Sequence, residues 1–495
     1  MEKIIKQLEE QQNIRTNLST LRQMIREDEN REQLLRIVEQ DDALWLSFLR
    51  SEDAKTRKNI ALLLGELEYD AAEGALWEAY EREDTRFVKS AYLDAMCAMD
   101  VEERLPRLHE RLEELTQEEL TAENRKHVQE EIRSLRNLLI LYEGISCHQF
   151  VMRWEQPMEV VLTTNRLHRQ VVRDSLPQEV KPQLHPLGVG LTTDNLYPVM
   201  RNRMFREVLF PIHTKGLLKA EPKSAAEALW QSDLHELLLR LHTGEDVFYF
   251  RIDCRSAMTL EERSSFSKAM SAELERLSGG RLVNSPRDYE VELRLIANRD
   301  GMFFPCLRAT TLEDVRFSYR KNTIAASIHP STAALMMEMA APYLLEQAQI
   351  MDPFCGVGTM LIERTKRVPA KQMYATDIYA DAIRFGRDNA KRTGENINFI
   401  HRDFFDFRHE YLFDELVTNM PVRGKKTKEE MDRFYQRFFE KALEITAPQA
   451  TIIMYTNEVG FVKKQLRLHR ELSLLQEIVM QKKGDFYLLI IRIQR

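Results

Sequence analysis

Between residues 348 and 422 short apolar runs alternate with amphipathic stretches, and each run ends on a polar residue. QIMD closes at Asp352, MYATD at Asp377, INFIHRD at Asp403 and DELVTN at Asn419. Runs of this length bounded by turn residues read as buried strands of an open α/β sheet, whose ligands bind at the C-terminal strand ends. Residues 1–150 show a different period. They are almost free of proline and glycine, place Leu and Ala among Glu and Arg at helical spacing, and predict an all-helical region. Within it TRKNIALLLG from Thr56 and VKSAYLDAMC from Val88 align at an offset of 32 residues, so that Ile60 matches Tyr92 and Leu64 matches Met96. Such a repeat predicts stacked helical hairpins.

From about Met158 the texture changes again. MEVVLTTN and PLGVGLTTDN predict strands, followed by a helix containing Arg201, Arg203 and Arg206. VFYFRIDCR, a helix over 260–277, a Gly279-Gly280 turn, YEVELRLIANRDG and MFFPCLRAT then give the strand, helix, strand, strand order of an α+β module. At the C-terminal end LLQEIVMQKKGDFYLLIIRIQR predicts an antiparallel hairpin at the sheet edge.

A length of 495 residues and 43% hydrophobic content suggest about three domains with ample apolar surface to bury. The first residues, MEKIIKQLEEQQ, lack a secretory signal, and no run of about 18 apolar residues occurs, so a soluble, cytoplasmic protein without membrane contact is expected. Cys97, Cys147, Cys254, Cys306 and Cys355 lack CxxC spacing, which implies reduced thiols and no metal site. Charge separates the chain further. Residues 1–150 carry 21 basic against 33 acidic side chains, a net of −12, whereas the remainder sums to +5. A nucleic-acid surface therefore belongs to the C-terminal two thirds, and the acidic arm suits a protein partner.

The turn after the first of the four strands, DPFCGVGT, is acidic and glycine-rich. Gly356 and Gly358 let the backbone bend and approach a ligand, and Thr359 opens a helix. A dinucleotide fingerprint would want a third glycine where Leu361 stands. Asp377 follows Gly356 by 21 residues, where a carboxylate can accept both hydroxyls of a ribose. Turn and carboxylate together predict a clamp on a nucleoside.

DPFCGVGT, the downstream TD and RD, and the Asn419-Met420-Pro421-Val422 turn together resemble the class I S-adenosylmethionine-dependent methyltransferases, in the branch that methylates amines and carries DPFCGSGT. The resemblance implies an α/β Rossmann-like domain over 325–495. Asp352 would hold the methionine amino group, Asp377 the ribose and Asp403 the adenine amine, with Phe354, Gly356, Gly358, Thr359, Ile378 and Phe404 completing the S-adenosyl-L-methionine site. Asn419 and Pro421 would be the catalytic pair, orienting the target amine. The motif's first proline is replaced by Met420 and its aromatic residue, which stacks on the target base, by Val422. Val422, Arg423, Lys425 and Lys426 are expected beside the substrate, and Tyr435 or Phe438 of RFYQRFFEKAL offers a substitute ring.

Residues 155–320, including RMFREVLFPI, resemble the ferredoxin-like and THUMP modules that precede such domains in RNA-modifying enzymes, and VRFSYRKNTIAASIHPSTAALMMEMA resembles their connection, with Pro330 and Ser331 opening a helix. Residues 1–150 resemble HEAT repeats and lie outside that family pattern. The expectation is a tRNA methyltransferase acting on guanine N2. Alternatives are an inactive scaffold that binds RNA or cofactor, and an adenine-N6 enzyme.

Overall fold

The computed structural model describes all residues except 119, 120, 122, 123, 145–147, 245 and 326. Cys147 and Ala326 of the connecting segment thus lie outside the described residues. The chain divides into two compact units. One comprises Met1–His148, Glu245–Arg251 and Ser271–Glu290, and the other Gln149–Gly244, Ile252–Met270 and Val291–Arg495.

The first unit is helical from Glu2 to Glu143 apart from its turns. Helices Ala54–Glu66 and Arg86–Met96 hold the two copies of the 32-residue pattern, and Ile60, Leu64, Tyr92 and Met96 are all buried in one apolar cluster. Asp53 caps the first of them, accepting from the backbone N–H groups of Lys55 and Thr56. The helices approach closely because Gly65 has no side chain: a Cβ there would stand 2.5 Å from Ala95 Cα. Two stretches expected in the central module count with this unit. In them Phe248, Tyr249 and Phe250 pair in parallel with Leu282, Val283 and Asn284, and the buried Glu290 accepts from the backbone of His148 and Tyr249.

The second unit contains two sheets. Six strands of the first run in the order Gln183–His185, Gly188–Asn195, Arg153–Thr163, Glu207–Pro211, Phe303–Ala309 and Val291–Ala297, each antiparallel to its neighbour. The helix expected around Arg201, Arg203 and Arg206 does not form. A single 3-10 turn, Val199–Arg201, is followed directly by the strand Glu207–Pro211. Val208, Leu209 and Phe210 pair between two neighbouring strands and are buried there, which favours the extended backbone over a helix.

The second sheet has seven strands: β1 Ala348–Asp352, β2 Ala370–Asp377, β3 Ile397–His401, β4 Phe413–Asn419, β5 Thr446–Thr456, β6 Leu472–Gln481 and β7 Phe486–Ile493. Their order is β3-β2-β1-β4-β5-β7-β6, parallel except for β7, which runs antiparallel to β5 and to β6. Strand order reverses between β1 and β4, so a crevice opens at their C-terminal ends. Helix Lys428–Ile445 packs Met431, Tyr435, Phe438 and Phe439 into one core with Leu416, Ile452 and Met454. Glu415 of β4 forms a fully buried ion pair with Arg364, at 2.7 and 2.8 Å, and also accepts from the Leu345 N–H. Removing either partner would leave an unpaired charge in the core, at a cost of about 3–5 kcal/mol.

Candidate functional site

A cavity of about 1090 Å³ lies at the crevice, lined by the ends of β1, β2, β4 and β5, by helix residues near Ser331, and by Thr163, Thr164, Asn165, Met204 and Arg206 of the first sheet. Asp352, Phe354, Gly356, Thr359, Asp377, Ile378, Asp403, Phe404, Asn419, Pro421, Val422 and Lys426 all reach it, so most residues singled out in the sequence converge. Gly358, Arg423 and Lys425 do not line it. Arg423 bends back to donate from Nε to the Lys426 carbonyl, and lines a separate cleft with Lys428 and Asp432.

The glycine turn and the second carboxylate are one structure. Asp377 Oδ2 accepts from the Gly356 N–H at 2.9 Å and Oδ1 from the Tyr379 N–H at 3.0 Å. Gly356, at φ 52°, has only Ile324 Cδ1 near its missing Cβ, at 3.7 Å, and leaves the cavity wall low. Gly358, at φ 80°, is required for a different reason than ligand approach. A Cβ there would stand 2.8 Å from the Phe399 ring.

Asp352 is 1% exposed. Its Oδ1 accepts from the Phe354 N–H at 3.1 Å, but Oδ2 has no hydrogen-bond partner among the described residues. Burial pushes this carboxyl up to about 8, against the partial relief of the Phe354 N–H and the nearby Thr418 hydroxyl, with the Asp377 charge adding to the rise. A buried acceptor left without a donor beside a cavity fits the amino group of an adenosyl amino acid, which brings both the donor and the positive charge. The free carboxyl is neutral below pH 8 and ionised above it, whereas the amino group of a free amino acid stays protonated through this range. Affinity for S-adenosylhomocysteine, measured by calorimetry, should therefore climb by up to about tenfold per pH unit from pH 6 and level off above pH 8. Asp352→Asn should remove the rising limb.

Asn419 is half-buried and its side-chain amide makes no hydrogen bond among the described residues. Met420 is buried in the core shared with helix Lys428–Ile445, while Val422 is 56% exposed at the cavity. Tyr435 and Phe438 do not supply a ring. Both are fully buried, and the Tyr435 hydroxyl is bonded to Thr456 Oγ1 at 2.7 Å. The rings at the cavity are Phe354, Phe405, Phe434, Tyr455 and Phe486, with Tyr379 beside Asp377.

Sequence reasoning also missed Arg206, His329 and Arg437. The His329 ring caps its helix, with Nδ1 accepting from the Ser331 N–H, which leaves the proton of the neutral tautomer on Nε2. Burial and the charges of Arg206, Arg320 and Arg316 hold it down at about 4, so it is neutral at pH 7. Behind the glycine turn, Glu363 is buried on helix Thr359–Arg367. It accepts two hydrogen bonds from Arg203, both at 2.8 Å, and one from the Tyr319 hydroxyl at 2.7 Å.

Residues 318–485 match a family model described as "RMKL-like, methyltransferase domain". A bifunctional methyltransferase of Rickettsia felis is 26% identical over 272 residues, 53% of this chain and 51% of that protein. The chain thus spans about half the length of that curated relative. Among solved structures, TrmN from Thermus thermophilus is similar with a TM-score of 0.48 and 17% identity, covering 69% of this chain and all of that one. One described as a predicted N6-adenine-specific DNA methylase from Listeria monocytogenes has a TM-score of 0.46 and 16% identity, covering 68% and 96%. By that family match and its sheet order, the C-terminal part of the chain is a class I methyltransferase domain with S-adenosyl-L-methionine as its cofactor. Among the described residues no helix is long and apolar enough to cross a membrane, and no group of side chains could hold a metal ion.

Proposed function

We propose that the protein is an RNA methyltransferase that transfers a methyl group to an exocyclic base amine, with guanine N2 of tRNA as the favoured target. One observation carries this reading: the unpaired amide of Asn419 and the unpaired buried carboxyl oxygen of Asp352 border the same cavity. Bound S-adenosyl-L-methionine supplies an electrophilic sulfonium methyl group. Asp352 would hold the amino group of that cofactor, Asp377 its ribose through lone pairs not used by Gly356 and Tyr379, and Asp403 its adenine amine. An exocyclic amine is a poor nucleophile because its lone pair is conjugated with the ring. Asn419 accepts one amine hydrogen and turns the lone pair toward the methyl carbon, while Pro421 stiffens the turn that presents it.

Lys426, Arg206, Arg402 and Arg437 at the cavity supply positive charge for the phosphates of the target strand. The THUMP-like reading of the first sheet agrees with its contribution of Arg206 to the cavity rim. The helical arm, read as HEAT-like, carries the −12 charge and suits a protein partner better than RNA. Incubating the full-length protein with total tRNA and labelled cofactor, then digesting to nucleosides for mass spectrometry, tests the proposal. N2-methylguanosine is the expected product. N6-methyladenosine would favour the adenine alternative, and no labelled nucleoside from any RNA would favour the scaffold.

A further inference from the structure

In the motif that the Asn419 turn resembles, an aromatic ring stacks on the target base, and here that position is the aliphatic Val422. We infer that Phe486, backed by Tyr455, forms the stacking platform for the target purine. The inference rests on the methyl-transfer reading above and adds the surface on which the base is held.

Asn419 and Tyr455 are register partners on the neighbouring parallel strands β4 and β5, so their side chains leave the same face of the sheet at its C-terminal edge. Tyr455 stacks on Phe486 with ring centroids 5.1 Å apart and planes 20° from parallel. Both rings are half-buried and both line the cavity that Asn419 borders. Phe486 has no second ring against it among the described residues and lines the cavity, with Gly484 close to the Cε2–Cδ2 edge of its ring.

Phe434, another ring at the cavity, is already packed. It lies against Phe354, Phe405 and Tyr435 at 5.4 to 5.7 Å, with Lys426 Nζ 4.9 Å above it. Phe486 also sits on a fixed support. It begins β7, and the adjoining end of β6 is clipped to the first sheet: Asn165 Nδ2 donates to the Met480 carbonyl at 2.8 Å and His168 Nε2 to the Val479 carbonyl at 2.7 Å. A ring held this way can take a flat base without paying again for its own ordering.

The probes are guanosine and adenosine 5′-monophosphate added to the full-length protein saturated with S-adenosylhomocysteine. Saturation-transfer NMR should mark the purine H8 proton in the wild type and in Phe486→Tyr, and lose that signal in Phe486→Ala. Single-turnover transfer to total tRNA should fall by about tenfold in Phe486→Ala, with S-adenosylhomocysteine affinity within twofold. Adding Val422→Phe to Phe486→Ala should recover part of the rate by returning a ring to the base. An H8 signal absent from the wild type, undiminished in Phe486→Ala, or lost instead in Phe434→Ala would overturn the assignment. A wild type that shows the Phe486-dependent signal but transfers no methyl group would keep the platform and defeat the methyl-transfer reading.

Discussion

Replacing Asn419 by alanine should lower single-turnover methyl transfer at least about tenfold while leaving S-adenosylhomocysteine affinity within a few-fold. The side chain ends β4, makes no hydrogen bond among the described residues, and borders the cavity rather than the core. Its truncation therefore removes little from the fold. What it removes is an acceptor that holds the amine in line with the methyl donor, and lost alignment of a reacting group falls on the rate rather than on ground-state binding. Asn419→Asp keeps an acceptor in place and should retain more activity than the alanine variant. An unchanged rate in Asn419→Ala would remove the turn from the chemistry altogether.

Asp377→Ala should weaken binding of S-adenosylmethionine and of S-adenosylhomocysteine by at least about tenfold. Each hydrogen bond from a neutral donor to a carboxylate contributes roughly 1.5–3 kcal/mol, and a ribose offers two donors. The structure adds a second cost. The same carboxylate holds the Gly356 N–H, so the variant loosens the turn as well as the clamp. Asp377→Asn is milder on the turn, because its amide oxygen can still accept from Gly356, but its NH2 group then faces the Tyr379 N–H and one ribose partner is lost. Calorimetry giving wild-type affinity for a folded Asp377→Ala protein would end the clamp assignment.

Much of this site could be read from the chain because parallel strands buried on both faces announce themselves as apolar runs, and their C-terminal ends carry the polar residues in sequence order. Asp352, Asp377, Asp403 and Asn419 were found in that way. The bend that singled out Gly356 and Gly358 is present at φ 52° and 80°, but the added crowding of Gly358 by the Phe399 ring, 41 residues away, is invisible to a local motif. Helical periodicity did not separate Phe434 from Tyr435 and Phe438, because Phe434, Tyr435, Phe438 and Phe439 share one helix face about 140° wide and only the packed sheet decides which ring of that face reaches the cavity. Arg206 and Phe486 stand at the ends of other strands, far from the motif in sequence, and no spacing rule connects them to it. The arginine-rich stretch misled for a related reason: Arg201, Arg203 and Arg206 say nothing about the buried Val208, Leu209 and Phe210 that follow.

The pairing of Glu363 with Arg203 bears on how such a protein is inherited. The region matching the methyltransferase family begins at residue 318, yet the guanidinium that neutralises a fully buried carboxylate of that region lies 160 positions before it in the chain. A catalytic domain transplanted at the edge of the match would keep the Tyr319 hydroxyl and lose the charge, an exchange that costs about 3–5 kcal/mol for a buried pair. The penalty would fall on the helix that starts at the cofactor turn. Recombination along that boundary is therefore disfavoured, and Arg203 and Glu363 are expected to be gained, lost or replaced together in descendants of this chain.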